Sequence, residues 1–530
     1  MAESGDAAGQ QVLAAQSKSA PSIRPRSFKR IRLVGTDDLV AFYPIVASFV
    51  KHPESAFSVE ELIVGPPEEH DLYSHFYLQP LSIDPVPPAL QDEVHDSLIA
   101  YTKSLDLGAD LTDRMLKALA LNHLERKYKG SSKEEPVDWR SDDYMPSKPE
   151  VPDYHATIAT LIISLCPNIT SFRFNYIGDY DTVVGQYLLM NNYGKLPTPV
   201  LQKVTDILLH PVTGNGDPRL YDNMESSEVF RYFHRLPAVR TVSLQGFDDA
   251  QADNELIAPK TGSLTLKTLR FLHVDLGGDF LSNLMRIPKA LEEFVLIGNG
   301  LMNTDGGSAL VYAKTIAKCL VEHRDTLKIL ELDAGLYGHS FDEDEHKWEP
   351  EAPVNENEIH PDAREYFTAH AALRKPFLDQ DRADSAGIPQ HPQDLPNHDR
   401  EYPAGGVGSL HDFVALTRLS IRIGLLLGYD DLSTHGIPVP KASYRLIDAL
   451  PPQLEFLRLY GYKKGAMPEV DAHVNEFLEK KAERFPQLVT IEGIDAFLPG
   501  SPGTYAGNRW KTDEDDFWQR PRENMDWVEV

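Results

Sequence analysis

One six-residue frame, apolar-x-x-apolar-x-apolar, recurs nine times along this 530-residue chain. A repeat constrains a fold more tightly than any single motif, because no unit can bury its own apolar face and each must lean on its neighbours. The copies are Phe28-Ile31-Leu33, Val59-Leu62-Val64, Ile169-Phe172-Phe174, Val239-Val242-Leu244, Leu269-Leu272-Val274, Leu291-Phe294-Leu296, Leu327-Leu330-Leu332, Leu416-Leu419-Ile421 and Leu454-Leu457-Leu459. A tenth, Leu488-Ile491, breaks at Gly493. The last two apolar positions flank a single residue, as in Phe172-Arg173-Phe174 and Leu330-Glu331-Leu332, which is the period of a half-buried strand.

Between the frames the period lengthens to that of a helix. Residues 308–325 can set Leu310, Val311, Ala313, Ala317, Leu320 and Val321 on one stripe, and residues 37–52, 155–165, 226–236 and 474–485 read the same way. Strand then helix, repeated, gives parallel strands joined by right-handed crossovers. Successive starts lie 30 (239 to 269), 22 (269 to 291), 36 (291 to 327), 38 (416 to 454) and 34 (454 to 488) residues apart. These bracket and exceed the roughly 20–29 residues of regular leucine-rich repeats. The expected fold is therefore α/β: a leucine-rich-repeat-like solenoid, a horseshoe of parallel strands and helices with irregular repeats and long insertions. A doubly wound α/β sheet is the structural alternative.

The ladder divides the chain. Residues 1–27 read as a disordered N-terminal tail and 28–498 as the irregular solenoid. Two insertions interrupt it: 66–154, with helical patterns at 89–105 and 110–129, and 337–408, an acidic Pro- and His-rich stretch that reads as a loosely docked or disordered loop. Residues 499–530 form an acidic tail holding Trp510, Trp518 and Trp527, three of the five tryptophans. Such a tail suits a cap across the exposed end of a solenoid, with a short linear motif for a partner as the other reading.

Composition narrows the function classes. A formal charge of -28 opposes an extended nucleic-acid face, and the one basic cluster, Arg24, Arg26, Lys29, Arg30 and Arg32, is short. The two cysteines, Cys166 and Cys319, each lie in an apolar stretch and suit buried free thiols of a reducing compartment. No signal-peptide pattern opens the chain and no apolar run reaches the roughly 18 residues of a membrane span, so a cytoplasmic or nuclear location is expected. His323-Arg324-Asp325 superficially matches a protein-kinase catalytic loop, but Leu330 stands where that loop needs asparagine and the triplet reads as a helix end. Gly405-Gly406-Val407-Gly408 lacks dinucleotide-binding spacing, and the histidines at 339, 346, 360, 370, 391, 398 and 411 lack metal-ligand spacing. No enzymatic activity, cofactor or metal is expected, and a small-molecule ligand, a nucleic acid and a membrane are disfavoured as partners.

The segments HRDTLKILEL (323–332), GSLHDFVALTRLSIRIGLLLG (408–428), LPPQLEFLRLYGY (450–462) and FPQLVTIEG (485–493) resemble the leucine-rich-repeat part of filamentous-fungal (ascomycete) F-box-type proteins over about residues 155–495. The resemblance implies a substrate-recognition surface on the repeats and docking of an N-terminal F-box on the adaptor of a cullin-type ubiquitin ligase. The Leu-Pro-x-Glu-Leu/Ile start of an F-box does not precede SFKRIRLVG, where the first frame begins. Function is therefore expected to be recognition of a partner protein on the concave strands, with the ligase substrate receptor as the alternative. The candidate partner-binding residues are Arg173, Ser243, His273, Val295, Glu331, Ser420 and Arg458, because each should sit between core-facing strand residues.

Overall fold

The computed structural model describes residues 23–65, 81, 83–129, 150–174, 182–209, 220–221, 230–249, 265–298, 302–303, 311, 313–334, 361–388, 395, 406–428, 444–500 and 524–530. Its strands are β1 (Phe28–Leu33), β2 (Glu61–Val64), β3 (Ser171–Phe174), β4 (Asp206–Leu209), β5 (Leu220–Tyr221), β6 (Thr241–Asp249), β7 (Thr268–Leu276), β8 (Glu293–Gly298), β9 (Met302–Asn303), β10 (Ile329–Asp333), β11 (Arg418–Arg422), β12 (Phe456–Tyr460), β13 (Thr490–Glu492) and β14 (Val528–Glu529). The short β5 and β9 pair apart from the rest, and the other strands form one open, twelve-stranded sheet, β13-β12-β11-β10-β8-β7-β6-β4-β3-β2-β1-β14. Every pairing in it is parallel except that of β14 with β1, and neighbouring parallel strands follow chain order. The fold is α/β, with strand and helix alternating along the chain as the period change predicts.

The apolar frame sets the register. Ile31, Leu62, Phe172, Ile207, Val242, Leu269, Phe294, Leu330, Leu419, Leu457 and Ile491 form one row across the strands. Leu33, Val64, Phe174, Leu209, Leu244, Phe271, Leu296, Leu332, Ile421 and Leu459 form a second, and all ten are buried. These rows pack with Phe42, Phe49, Ile158, Leu188, Leu284, Ile316 and Phe477 of the helices in one continuous core. The helices include Gly35–Lys51, Gln91–Ser104, Ala109–Lys129, Glu150–Leu165, Val183–Asn192, Ala313–Val321 and Pro468–Arg484, so four of the five helical segments expected from sequence are present. The fifth, 226–236, lies partly outside the described residues, and 231–235 form a turn.

Two frames differ from the sequence reading. Val204-Thr205-Asp206-Ile207-Leu208-Leu209 is a further copy, carrying β4. In the β7 coil the register selects Leu266-Leu269-Phe271, not Leu269-Leu272-Val274, because Phe271 pairs with Leu244 and Leu296 while Leu272 is only half-buried. The run TLRFLHV carries apolar residues in both phases, and the partner strands decide between them. At the far end, Gly493 replaces the last apolar position because, at its φ of +85°, a Cβ there would collide with the Leu459 carbonyl oxygen.

The insertion 337–408, expected to be a largely disordered or loosely docked loop, contains a 24-residue helix, Pro361–Asp384. Asp381 docks it: its carboxylate accepts from Arg235 Nη2 at 2.6 Å and Tyr193 Oη at 2.7 Å, and Arg231 Nε lies 3.4 Å away. Lys195 sits 4.1 Å over the Phe377 ring. Sequence patterning missed this because the anchor is one buried charge paired with residues about 150 positions earlier.

Phe271→Ala should cost about 3–5 kcal/mol of unfolding free energy by opening a core cavity, and Leu272→Ala about 1 kcal/mol. Denaturant titration of both variants separates the two frames, and the reverse order would restore the phase read from sequence. Asp381→Ala should cost about 3–5 kcal/mol, since it removes the buried carboxylate that faces both Arg231 and Arg235. Hydrogen exchange should then show 361–384 opening before the sheet.

Candidate functional site

A row of side chains on the opposite face of the sheet alternates with the core rows: Arg32, Ile63, Arg173, Leu208, Ser243, Arg270, Val295, Glu331, Ser420, Arg458 and Glu492. Beside it run Arg30, Glu61, Ser171, Asp206, Thr241, Thr268, Glu293, Ile329, Arg418, Phe456 and Thr490. Six candidates named from sequence, Arg173, Ser243, Val295, Glu331, Ser420 and Arg458, fall in the first row. His273 does not. It occupies an irregularity between Leu272 and Val274 at φ +55°, and Arg270 takes the row position on β7. The row members missed from sequence are Arg32, Ile63, Leu208, Arg270 and Glu492: Leu208 lies in the frame that was not recognised, Arg270 in the one read in the other phase, and Arg32, Ile63 and Glu492 on the end strands β1, β2 and β13.

The charges on this face pair across adjacent strands. Near the first strands Glu61 bridges Arg30 Nε at 2.6 Å and Arg173 Nε at 2.8 Å. Arg270 Nε meets Glu293 at 2.7 Å. Toward the last strands Tyr460 Oη donates to Glu331 at 2.6 Å, Arg458 Nε meets Glu492 at 2.7 Å, and Arg422 Nε meets Asp333 at 2.7 Å. The Arg418 and Arg458 guanidinium groups lie 4.7 and 5.4 Å from the Phe456 ring centroid, so two cation-π contacts stand beside the ion pairs. Burial, then the bond to Glu331, pushes the Tyr460 hydroxyl up to about 12. The bonds to Tyr460 and Glu492 hold Arg458 firmly protonated. The face offers planar guanidinium donors, carboxylate acceptors and two aromatic rings in fixed places, a set suited to recognising peptide and side-chain groups.

Several titratable groups outside this face pack into the core. His323, of the triplet like a kinase loop, accepts the Leu291 amide at Nδ1 (3.3 Å) and donates from Nε2 to the Met285 carbonyl (2.7 Å), pinning a turn to the preceding coil. Cys166 and Cys319 are buried free thiols, and burial raises both, Cys319 to about 12. Among the described residues no group of three or more His, Cys, Asp or Glu is placed to hold a metal ion, and no helix is long and apolar enough to cross a membrane. The histidines at 339, 346, 360, 391 and 398 lie outside the described residues, His370 belongs to the helix Pro361–Asp384, and His411 is exposed.

Burial lowers His155 and His234 to about 4, in His234 against the pull of Asp381, and lowers His323 as well. Their unfolded value is near 6.5, so between about pH 6.5 and 4 the unfolded chain binds protons that the folded chain refuses. Stability is fully present above 6.5 and should fall by about 1.4 kcal/mol per pH unit for each of His155 and His234 across that window. Denaturant unfolding at pH 7.5 and 5.0 checks this, and equal free energies at the two pH values would overturn it.

Comparison with protein-family models, with curated proteins and with solved structures finds no match to this chain. Its function is therefore read from this geometry.

Proposed function

We propose that the chain is a leucine-rich-repeat-type horseshoe that binds another protein on its open sheet face. The observation that carries the reading is the register: strands in chain order hold one unbroken row on the face away from the helices, with Arg32 and Ile63 at its start buried under the last residues and the stretch from Arg173 to Glu492 beyond them. Strands stack about 4.8 Å apart whereas a helix needs about 10 Å, so such coils curve with the sheet inside. A partner entering this concavity meets Arg173, Ser243, Arg270, Glu331 and Arg458 with Phe456 and Tyr460 beside them, the Arg- and Tyr-rich chemistry of binding hot spots. The partner is a protein, and neither cofactor nor turnover enters the reading.

A second reading, the substrate-recognition subunit of a cullin-type ubiquitin ligase, rests on the resemblance of residues 155–495 to F-box-type repeats. Affinity purification of the tagged protein separates the two: recovery of the cullin adaptor supports the ligase, and stoichiometric partners without it support a ligase-independent scaffold.

Replacing Arg173, Glu331 and Arg458 together by alanine should abolish partner capture. Their ion pairs are partly solvated and worth about 0–1 kcal/mol each, so Tm should barely change. Intact capture by the folded triple variant would remove the open face as the binding surface.

A further inference from the structure

The first strand is seated against the last residues of the chain. β14 pairs antiparallel with β1, Arg30 opposite Val528 and Phe28 opposite Glu529, and the Val530 amide donates to the Ser27 carbonyl at 2.9 Å. Side chains make this more than an edge contact. Trp527 packs on Phe28 and Phe42 with ring centroids 5.6 and 5.1 Å apart, and its Nε1 reaches Asp38 Oδ1 at 3.4 Å. Asp38 holds the buried Arg32 at 2.8 and 2.9 Å, and Arg32 Nη1 turns its remaining edge to Asp526 at 3.5 Å. Met525 is buried on Val34 and Ile63, and Arg30 Nη1 donates to the Asn524 carbonyl at 3.0 Å.

This seat has the parts of a peptide-recognition site. A strand edge supplies main-chain pairing with no sequence preference, and pockets for particular side chains supply the specificity. Here one pocket takes an indole between two phenylalanines, with a buried carboxylate for its N–H. A second, beside a guanidinium already fixed by Asp38, takes a carboxylate, and a third takes an unbranched apolar chain. The recognised sequence is Met-Asp-Trp followed by strand-forming residues whose own side chains face water, Val528 and Val530 being 39% and 80% exposed. Affinity is thus concentrated in three residues and the backbone.

We propose that the β1 edge with the Arg32–Asp38 socket and the Phe28–Phe42 slot is a docking site for a linear Met-Asp-Trp peptide presented by a partner protein, and that the chain's own C-terminus is its built-in competitor. The tail is tethered to the solenoid through the 23 residues between Gly500 and Asn524. A tethered ligand acts at an effective concentration of the order of millimolar. With a seated tail of about 10–100 μM intrinsic Kd, a partner peptide therefore binds the intact protein about 10- to 100-fold more weakly than a chain whose own tail cannot seat. This site shares Arg30, Arg32 and Ile63 with the first strands of the open face but none of Arg173, Glu331 and Arg458, so the failure of either reading leaves the other standing.

The test uses the full-length chain and a fluorescein-labelled peptide, Glu-Asn-Met-Asp-Trp-Val-Glu-Val, followed by anisotropy. The Trp527→Ala protein should bind it saturably and at least tenfold more tightly than wild type, and a peptide with alanine for tryptophan should not bind. If Trp527→Ala does not fold, Val530→Pro removes the amide that donates to the Ser27 carbonyl while leaving the indole seated, and should tighten peptide binding at least threefold. No binding by the folded variant, or equal binding by variant and wild type, overturns the proposal.

Discussion

Each coil of this chain hangs on one carbonyl oxygen of the coil before it. The Thr170 carbonyl accepts the amides of Thr205 and Asp206, Thr205 those of Arg240 and Thr241, Arg240 those of Lys267 and Thr268, and the pattern continues through Lys267, Glu292, Lys328, Thr417 and Glu455. A shared acceptor at the strand entrance leaves the incoming strand a single phase, and the apolar frame confirms that phase by burial. Insertions between the coils therefore do not disturb the sheet. More than a hundred residues separate Val64 from Ser171, yet Leu62 and Phe172 pair in the same register as coils joined by short crossovers. Loop-closure entropy grows only slowly with length, so the helical elaboration over Gln91–Ser104 and Ala109–Lys129 is tolerated.

Phase also decides what the opposite face can do. Because the side-chain period is two, fixing the core rows fixes every residue between them, and the charges of neighbouring coils meet at cross-strand distance. Arg30–Glu61–Arg173, Arg270–Glu293 and Arg458–Glu492 are products of that registration. Pairs as solvated as these add little to folding, but they hold guanidinium and carboxylate planes in place before any partner arrives. Tyr460 extends the arrangement by joining Glu331 and Arg458 across β10 and β12.

Much of this was legible in the sequence because the frame is a local pattern with a single physical cause, burial of alternate strand residues. Reading failed where local pattern is degenerate. In TLRFLHV two phases are equally apolar, and only Leu244 and Leu296 on the flanking strands make Phe271 the core residue. His273 consequently moved out of the site and Arg270 into it. The Val204-Ile207-Leu209 frame was overlooked between polar turns, although it obeys the same rule. The helix Pro361–Asp384 was beyond local reading altogether, since a polar, Pro-containing stretch gains its docking from Asp381 and the distant Tyr193, Arg231 and Arg235.

The two ends of the sheet meet the hazard of an open edge differently. β13 has three residues, and Gly493 turns the chain over Leu459 directly after it, so little unpaired backbone is presented there. β1 is six residues long and reads Phe-Lys-Arg-Ile-Arg-Leu, with its apolar members in the core. Left bare it would offer a long row of amides and carbonyls to any extended chain. β14 covers part of that row, and the indole of Trp527 closes the apolar end of the core at Phe28 and Phe42. The cover is only two residues of ladder, so its hold depends on the Met525, Asp526 and Trp527 side chains more than on the strand itself. An edge guarded in this way is protected against unspecific extended chains and remains selective for one that brings the same three groups.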